Sequence, residues 1–422
     1  MLDYIDEKYK PKKNELICEY LVKPASHVTI DFAASQIAAE SSIGTWTTIQ
    51  TMKPRIAKRL APHIFSIKRK NKNRFLIKIA YPLDLFEIGN MPQLLSAIAG
   101  NIFGMKILDE LRLEQVSFPM KYLKGFKGPE HGIQGIREIT RVKDRPLLGT
   151  IVKPKVGLDP EEHAQVAKEA WAGGLDIVKD DENLTDMNFN NFKKRVKKTL
   201  QKRDMIESLT GEKKIYMPNV TAEPLEMLRR VEFVREQGGE YVMIDVLTAG
   251  FGAVQTLREN ARGLVIHAHR AMHAALTRHS GHGISMLALA QFLRVIGVDQ
   301  LHIGTAVGKM SGNKKEVKTI FNEIETHAFI NNEMKQEWGD IKPVMAVCSG
   351  GLHPLLMPDL VKIFGNDAIF QFGGGCHGHP KGTRAGARAL RQALDAVMLK
   401  IPLKKAAEER PELKQAFEKW GE

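Results

Sequence analysis

A lysine stands among three acids at the end of an apolar run, in "GGLDIVKDDE" (173–182). If the run is a strand, Lys179 and Asp181 share one face and Asp180 points the other way, while Glu182 can turn back to join the first two. Two converging carboxylates suit Mg²⁺, which takes a few carboxylates together with waters and substrate oxygens. A surface salt bridge is the alternative interpretation of the same residues.

An ammonium group among metal ligands would repel the cation, but a lysine carbamate, formed with carbon dioxide, would be an anionic third ligand. Carbamate formation needs the neutral amine, and an ordinary lysine is only about one part in a thousand neutral near pH 7.4, a cost of roughly 4 kcal/mol. Lys153 and Lys155 would lower the pKa of Lys179, whereas Asp181 and Glu182 would raise it. Metal coordination must offset the deficit, so we expect carbamylation and Mg²⁺ binding to be coupled.

Eight β-rich runs follow residue 145, each succeeded by a segment with helical periodicity. They are 146–152, 175–181, 214–220, 241–246, 263–269, 300–305, 342–350 and 368–375. Eight such units predict a (β/α)₈ TIM barrel within an α/β protein, with its active site at the carboxyl ends of the strands. A doubly wound sheet is the alternative, but no G-x-G-x-x-G motif follows an early strand. Residues 1–125 mix strand-like and helix-like segments, which predicts a smaller α+β domain before a barrel spanning 126–422.

Reactive residue types cluster where these eight runs end, although a strand-end histidine can be a core residue and a glycine run an ordinary turn. The cluster comprises Lys153, Lys155, Lys179, Asp181, Glu182, Asn219, Asp245, His267, His269, Arg270, His302, Ser349, Gly373, Gly374 and Gly375. Because parallel strands of a barrel end on one face, this placement favours a single catalytic site.

Glycines after the last two runs predict a phosphate site, because their backbone N–H groups can converge on an anion. Gly350 and Gly351 follow Ser349, and the second group is 373–375. Arg270 and His302 could hold a second anion, which predicts a bisphosphate substrate. Lys309 lies between glycines in "GTAVGKMSGN", a segment that could be a lid carrying a charge into the site or an ordinary flexible loop.

The net charge of +13 raises nucleic acid as a partner. The basic stretches "KRKNKNR" and "KKRVKKTLQKR" are not interleaved with aromatic residues and accompany no known nucleic-acid-binding motif. A small anionic substrate would use the same positive field. No apolar window approaches a membrane span, the first ten residues are too charged for a signal peptide, and three scattered cysteines predict neither disulfides nor a zinc site. We therefore expect a cytoplasmic protein.

Seven motifs in order resemble the large subunit of ribulose-1,5-bisphosphate carboxylase/oxygenase (RuBisCO), and details resemble its archaeal form III. They are "ESSIGTWTT", "GTIVKPKVGL", "GGLDIVKDDEN", "IHAHRAMHA", "LHIGTAVGKMSG", "CSGGLHP" and "QFGGGCHGHPKG". The resemblance implies a ferredoxin-like N-terminal domain and carboxylation of ribulose 1,5-bisphosphate to two 3-phosphoglycerate, with competing oxygenation. It also implies Mg²⁺, carbon dioxide as activator, and homodimers or oligomers of dimers without a small subunit.

The resemblance also implies roles for single residues. Lys179, as the carbamate, would ligate Mg²⁺ with Asp181 and Glu182 and act as the base, while Lys153 would assist enolisation and Lys155 would tune its neighbours. The remaining implied site residues are His269 for proton transfer, Lys309 for the incoming carbon dioxide, Arg270 and His302 for one phosphate, Gly351, Gly373 and Gly374 for the other, Ser349 for a substrate hydroxyl, and Glu40, Thr45, Trp46 and Asn101 for the partner's barrel.

A RuBisCO-like enolase or isomerase is the alternative within this resemblance. Such relatives typically lose lid or phosphate residues, whereas Lys153, Lys309, Arg270 and His302 are all present. Ile151 stands where plant enzymes carry a hydroxyl, which leaves the discrimination between carbon dioxide and oxygen open.

Overall fold

The computed structural model describes residues 3–308 and 314–421. The chain forms two compact units. The first contains the chain as far as Gly128 together with Met272–Gly297 and Thr326–Ile341, and the second contains Pro129–Ala271, Val298–Glu325 and the chain from Lys342 onward. A domain boundary near residue 125 stays a prediction.

The first unit is built on a five-stranded sheet. Its strands, in spatial order, are Gly283–Ile284, Leu108–Ser117, Glu15–Pro24, Phe75–Pro82 and His63–Arg69. The four long strands pair antiparallel, and the two-residue strand at the edge is parallel to its neighbour. This order, with a helix after the first strand and another after the third, is the βαββαβ arrangement of a ferredoxin-like domain, as predicted.

The other elements of the first unit are helices and one hairpin. The helices are Ile30–Glu40, Pro54–Leu60, Met91–Ile98, Met120–Leu123, His273–Thr277 and Met286–Ile296, with 3₁₀ turns at Leu83–Leu85 and Asn101–Gly104 and a hairpin of Ala328–Asn331 with Met334–Glu337. Local signals set their ends. Thr29 and Asn90 cap the first and third helices, and Gly297 closes the last with φ of 114°.

The second unit contains an eight-stranded parallel barrel, which confirms the predicted fold class. In chain order its strands are Leu147–Ile151, Ile177–Lys179, Ile215–Met217, Tyr241–Asp245, Val265–His269, Gln300–His302, Met345–Ser349 and Ala368–Gln371, hereafter the first to eighth barrel strands. The barrel closes between the third and fourth strands through a parallel bridge of Asn219 with Met243. Each strand falls within one of the eight predicted runs.

Among the described residues, helices of the second unit follow each barrel strand except the fifth. They are Gly132–Thr140, Pro160–Ala172, Phe192–Thr210, Pro224–Glu236, Val246–Ala249, Phe251–Asn260, Lys314–Glu325, Met357–Phe364, Gly374–His377, Gly382–Met398, Leu403–Glu409 and Pro411–Trp420, with a 3₁₀ turn at Pro354–Leu356. Among the described helices, none is long and apolar enough to cross a membrane. Asp159 and Glu162 form a capping box that starts the second of these helices, and Gly211 ends the third with φ of 71°.

The barrel core fills the amino-terminal half of the strands. Leu147, Ile177, Ile215, Tyr241 and Val265 are fully or almost fully buried there and pack with Ile136 of the helix Gly132–Thr140. Because this helix and the core side chains occupy the amino-terminal end, the polar side chains of the barrel are left to gather at the carboxyl ends.

Candidate active site

A cavity of about 370 Å³ lies at the carboxyl ends of the barrel strands. It is lined by Ile151, Lys153, Lys179, Glu182, His269, His302, Ser349, Gly350, Gly351, Leu352, His353, Gln371, Gly373, Gly374, Gly375 and Trp420. The structure therefore brings together eleven of the residues predicted from the sequence. Lys155 is exposed, and neither it nor Arg270 is among the described lining residues.

A larger groove, of about 820 Å³, lies at the amino-terminal end of the barrel. Several of its charged groups are paired with one another: Arg145 binds Asp176 through two contacts of 2.7 Å, and Arg391 lies 3.0 Å from Asp395. Charged groups already paired across a groove are typical of a stabilising face, and barrel enzymes carry their chemistry at the opposite end. We therefore assign the active site to the smaller cavity.

Lys179 ends the second barrel strand and is 1% exposed. Its Nζ donates to the carbonyl of Asp180 at 2.9 Å, lies 3.3 Å from Sδ of Met243, and is 3.7 Å from Oε2 of Glu182. Burial lowers the pKa of Lys179, and this effect outweighs Glu182 and Asp181, which raise it. The sequence left open whether the neighbours raise or lower the pKa of Lys179. Burial decides the question, and the lowered pKa favours the neutral amine.

Asp181 is held by two neighbours just beyond the strand. Its Oδ2 accepts from Nζ of Lys153 at 2.6 Å, and its Oδ1 accepts from the backbone and side-chain nitrogens of Asn183 at 3.1 and 3.0 Å. Burial would raise the pKa of Asp181, but Lys153 and Asn183 outweigh it and lower that pKa. The carboxylate is therefore anionic and already oriented.

Asp180 points away from the cavity, as strand alternation predicts, into a fully buried cluster. It accepts from the hydroxyl of Tyr216 at 2.6 Å, the backbone of Asn219 at 3.0 Å and Nε of Arg195 at 3.1 Å, with Nε2 of His163 also at 3.1 Å. Burial alone would raise the pKa of Asp180, yet Arg195 and His163 hold it well below its usual value. This cluster anchors the chain between Lys179 and the acids that follow.

His269 ends the fifth strand and is oriented by Asp245 of the fourth. Nδ1 of His269 lies 2.9 Å from Oδ1 of Asp245, whose other oxygen is 3.3 Å from the hydroxyl of Thr221 and 3.4 Å from the amide of Asn219. Nε2 of His269 faces Glu182 at 3.7 Å. An imidazole fixed at Nδ1 by a carboxylate leaves Nε2 available for proton transfer.

A chain of buried polar groups links the fifth, sixth and seventh strands. Nδ1 of His267 donates to Oε1 of Gln300 at 2.8 Å, so Nε2 of His267 must accept, and it does so from Nε2 of His302 at 2.9 Å. Nδ1 of His302 in turn accepts from the Ser349 hydroxyl at 2.9 Å. Burial lowers the pKa of His267 to about 3 and that of His302 well below its usual value. Both rings are neutral, and a phosphate contact by His302 would have to replace one of its two hydrogen bonds.

The two glycine segments line the cavity, and glycine is required at some of their positions by backbone conformation or by close packing. Gly350 and Gly351 have φ of 119° and 63°, which strongly favour glycine. A Cβ on Gly375 would stand 2.1 Å from the carbonyl oxygen of Leu352, and one on Gly373 would stand 3.5 Å from Cε of Lys153. The two segments thus pack closely and border the first catalytic lysine predicted from the sequence.

The other predicted site residues lie elsewhere. Burial lowers the pKa of Arg270 to about 10, and its guanidinium approaches Gly304, where a Cβ would lie 2.6 Å away. In the first unit, Glu40 ends a helix, Thr45 lines a small cavity of about 260 Å³, Asn101 opens a 3₁₀ turn, and Trp46 is 77% exposed. Lys309 lies outside the described residues.

Several cavity residues were missed from the sequence. The ring of Trp420, at the end of the last helix, stacks on His353 with centroids 5.9 Å apart. Gln371 is 1% exposed, and neither of its side-chain amide atoms has a hydrogen-bond partner within residues 3–308 and 314–421. Gln371 could have been recognised as a candidate cavity residue, because it interrupts the otherwise apolar run of the last strand. No local sequence pattern predicts that Trp420 lies at the mouth of the barrel.

A closed parallel barrel with lysines, acids and histidines converging at its carboxyl face defines a barrel enzyme. The family descriptions "Ribulose bisphosphate carboxylase large chain, catalytic domain" and "N-terminal domain" match residues 132–420 and 3–122. The chain therefore belongs to the RuBisCO large-chain family, a family of carboxy-lyases, which confirms the resemblance carried by the seven motifs. This membership does not favour the enolase and nucleic-acid alternatives.

Archaeal proteins are among the most similar relatives. "Ribulose bisphosphate carboxylase" of Methanocaldococcus jannaschii is 55% identical over 99% of this chain and 100% of the relative. The dimeric Rubisco of Hyperthermus butylicus has a TM-score of 0.94 at 45% identity, covering 99% of this chain and 98% of that one. The octameric Rubisco of Pyrococcus horikoshii, in complex with sulfate, has a TM-score of 0.93 at 50% identity, covering 99% and 96%.

Proposed function

We propose that this chain carboxylates ribulose 1,5-bisphosphate with carbon dioxide to give two molecules of 3-phosphoglycerate, with oxygenation as a competing reaction, and that it is of the archaeal form III type. The observation that carries the proposal is the placement of Lys179. It is a buried amine with a lowered pKa, 3.7 Å from Glu182, in the wall of a cavity that also contains both glycine segments.

We infer that the site takes Mg²⁺ together with carbon dioxide as activator. Within the described residues, no group of three His, Cys, Asp or Glu side chains is arranged to hold a metal ion. Asp181 and Glu182 therefore need a third anionic ligand, and Lys179 fits this need once its amine has become a carbamate. When bound, Mg²⁺ would stabilise negative charge that develops on the substrate oxygens.

The side chains around this site would handle the protons. The carbamate of Lys179 would remove the C3 proton of the substrate, and the ammonium of Lys153, which borders the cavity, would assist enolisation and later protonate the product. His269 would transfer protons through Nε2, because Asp245 occupies Nδ1. Lys155 would act electrostatically on its neighbours. The role of Lys309, to stabilise the carboxylate formed from carbon dioxide, rests on the resemblance.

The two phosphate groups would bind on opposite sides of the metal. Backbone N–H groups of Gly351, Gly373 and Gly374 would hold one, next to Gly350, because a segment without side chains lets the backbone approach an anion closely. Arg270 and His302 would hold the other. Ser349 gives its hydrogen to His302, so its oxygen would accept a hydrogen bond from a substrate hydroxyl.

We further propose that the chain self-associates as a homodimer or an oligomer of dimers, without a small subunit or nucleic acid as partner. The dimeric and octameric archaeal structures support the self-association. Glu40, Thr45, Trp46 and Asn101 would complete the site of the partner subunit, a role that rests on the resemblance. Location in the cytoplasm stays a prediction.

The direct test is fixation of labelled carbon dioxide onto ribulose 1,5-bisphosphate after preincubation with bicarbonate and Mg²⁺. Lys179→Arg keeps the positive charge but should not form the carbamate, so we expect no labelled product. Lys197→Arg, the same change on an exposed helical surface, is the matched control and should retain activity. Absence of product from the wild-type protein would reject the proposed function, and activity of Lys179→Arg would reject the carbamate mechanism.

Shared sites can be tested by coexpressing Lys179→Arg with Glu40→Gln, each of which should be inactive alone. In a mixed dimer, the intact barrel of one subunit meets the intact N-terminal domain of the other. Random pairing should then restore about one quarter of the wild-type activity, since half of the dimers are mixed and each has one intact site. No recovery in purified mixed dimers would contradict sharing.

A further inference from the structure

The eighth barrel strand is followed by a one-turn helix, Gly374–His377, whose last residue turns back toward the first strand. Nε2 of His377 lies 2.9 Å from the hydroxyl of Thr150 and 2.9 Å from the carbonyl oxygen of Ile151. Its Nδ1 lies 3.0 Å from the hydroxyl of Thr383. Both ring nitrogens are therefore engaged within the second unit.

These contacts fix the tautomer of His377. The carbonyl oxygen of Ile151 can only accept, so Nε2 carries the hydrogen. The hydroxyl of Thr150 donates to the carbonyl oxygen of Phe372 at 2.6 Å, so its oxygen is free to accept a share of the same Nε2 hydrogen. Nδ1 must then accept from Thr383. The ring is neutral, and burial accordingly lowers the pKa of His377 to about 4, with Lys153 adding to the shift.

The ring joins two strands at the point where their backbone pairing ends. The last paired residues of the first and eighth strands are Gly149 and Gln371. The last backbone hydrogen bond between these strands runs from the nitrogen of Phe372 to the carbonyl of Gly149, at 2.9 Å. Beyond it the strands are linked by side chains, through Thr150 to Phe372 and through His377 to the first strand. His377 thus continues the ladder into the loops that form the cavity wall.

The linked loops carry groups of the proposed reaction. Ile151 lies two residues before Lys153, and Phe372 directly precedes Gly373. A Cβ atom added to Gly373 would lie 3.5 Å from Cε of Lys153, so the two residues are close neighbours. A shift of either loop end would therefore change the distance between the ammonium group and the glycine segment.

We propose that His377 is a positioning residue that fixes Lys153 relative to the phosphate-binding glycines, an inference that rests on the proposed function. It touches no substrate and acts through Ile151 and Thr150. Because a misplacement of about 1 Å can cost on the order of 100-fold in rate, loss of the Nε2 contacts should lower kcat/KM by roughly 10- to 100-fold.

Two amide variants separate the two sides of the ring. In His377→Gln the amide nitrogen reaches the place of Nε2 and can donate to Ile151. In His377→Asn the shorter amide reaches only the place of Nδ1, near Thr383. We expect kcat/KM of the Asn variant to fall at least 10-fold and that of the Gln variant to stay within about threefold of wild type. His327→Asn, at an exposed histidine, is the matched control and should be unchanged.

Thermal unfolding of each variant separates positioning from folding. If His377→Asn does not fold, Thr383→Val provides the test, because it removes only the hydrogen bond that orients the ring and should lower kcat/KM in the same direction. Calorimetric titration with inorganic phosphate provides a measurement without turnover, with weaker binding expected for Asn than for Gln. Equal activity and equal phosphate binding of the Gln and Asn variants would overturn the inference. An inactive wild-type protein would instead reject the proposed function, while the phosphate titration would still test His377.

Discussion

The buried pair of Asp180 and Arg195 allows a quantitative test of how the metal-site loop is held. Arg195 donates to Asp180 and also to the carbonyl oxygens of Thr185 and Asn190, at 2.6 and 3.0 Å. These carbonyls belong to the segment that follows Glu182, so the guanidinium ties that segment to the end of the second strand. We predict that Arg195→Met destabilises the protein strongly.

The magnitude follows from burial. Both side chains are fully buried, and removal of one partner from a buried pair costs about 3–5 kcal/mol, because the other charge loses its compensation. In Asp180→Asn together with Arg195→Met neither charge remains. The double variant should therefore cost less than the sum of the single changes, by an interaction energy of about 2–3 kcal/mol.

The pKa of Asp180 gives the pH dependence of the same pair. Its native pKa lies well below the unfolded value of about 3.9, so the stability it contributes is complete above that value and is lost as pH falls toward the native pKa. Arg195→Met should raise the native pKa and remove this contribution already at neutral pH. Because an uncompensated buried carboxylate has a pKa above the unfolded value, the variant takes up a proton and regains stability as pH falls, so the wild-type advantage should be largest at pH 7 and smaller at pH 4.5.

The assay is urea-induced unfolding followed by circular dichroism at pH 7 and pH 4.5. Protein concentration must be equal in every sample, since the stability of an oligomer depends on it. Additive effects of the two single changes, within about 0.5 kcal/mol, would refute the coupling. A loss below about 1 kcal/mol for Arg195→Met would refute the account of the pair as a buried charge that needs compensation.

Three further predictions concern the cavity and its walls. The native pKa values of His267 and His377, about 3 and 4, lie below the unfolded value of about 6.5. Each histidine should therefore remove about 1.4 kcal/mol of stability per pH unit as pH falls below 6.5, because only the unfolded chain takes up the proton. Urea midpoints that do not change between pH 7 and 5 would contradict this. Trp420→Ala should open the cavity wall and raise KM for ribulose 1,5-bisphosphate several-fold with little change in kcat, whereas the exposed control Leu209→Ala should alter neither. Lys153→Met should reduce kcat by about 100-fold or more and, by freeing Asp181, tighten Mg²⁺ binding measured calorimetrically with bicarbonate; unchanged binding would show that Lys153 does not compete for that carboxylate.

The barrel was predictable because its strands are short and buried on both faces. Such strands form continuous apolar runs, as in Leu147–Ile151 and Tyr241–Asp245, and turn residues or charges end each one. Once eight runs are recognised, the geometry of parallel strands brings their carboxyl ends together without further information. Lys179, His269 and Ser349 were therefore located by position alone.

Contacts that depend on packing between distant segments were not predictable. The pKa of Lys179 depends on the degree of burial, which outweighs three carboxylates, and a sequence does not give that depth. His377 received no role from the sequence, and its link to Thr150 exists only because the first and eighth strands are neighbours in the closed barrel. Asp245 was recognised as a strand-end acid, but its hydrogen bond to His269 requires the register between two strands.

The stack of Trp420 on His353 gives the molecule an intrinsic optical reporter. Of the four tryptophans, Trp171 and Trp338 are fully buried and Trp46 is exposed in the first unit, whereas Trp420 borders the cavity. Its emission should change when a molecule enters the cavity, so filling of the site can be followed by fluorescence without a chemical label, and Trp420→Phe identifies the part of the signal that comes from this residue.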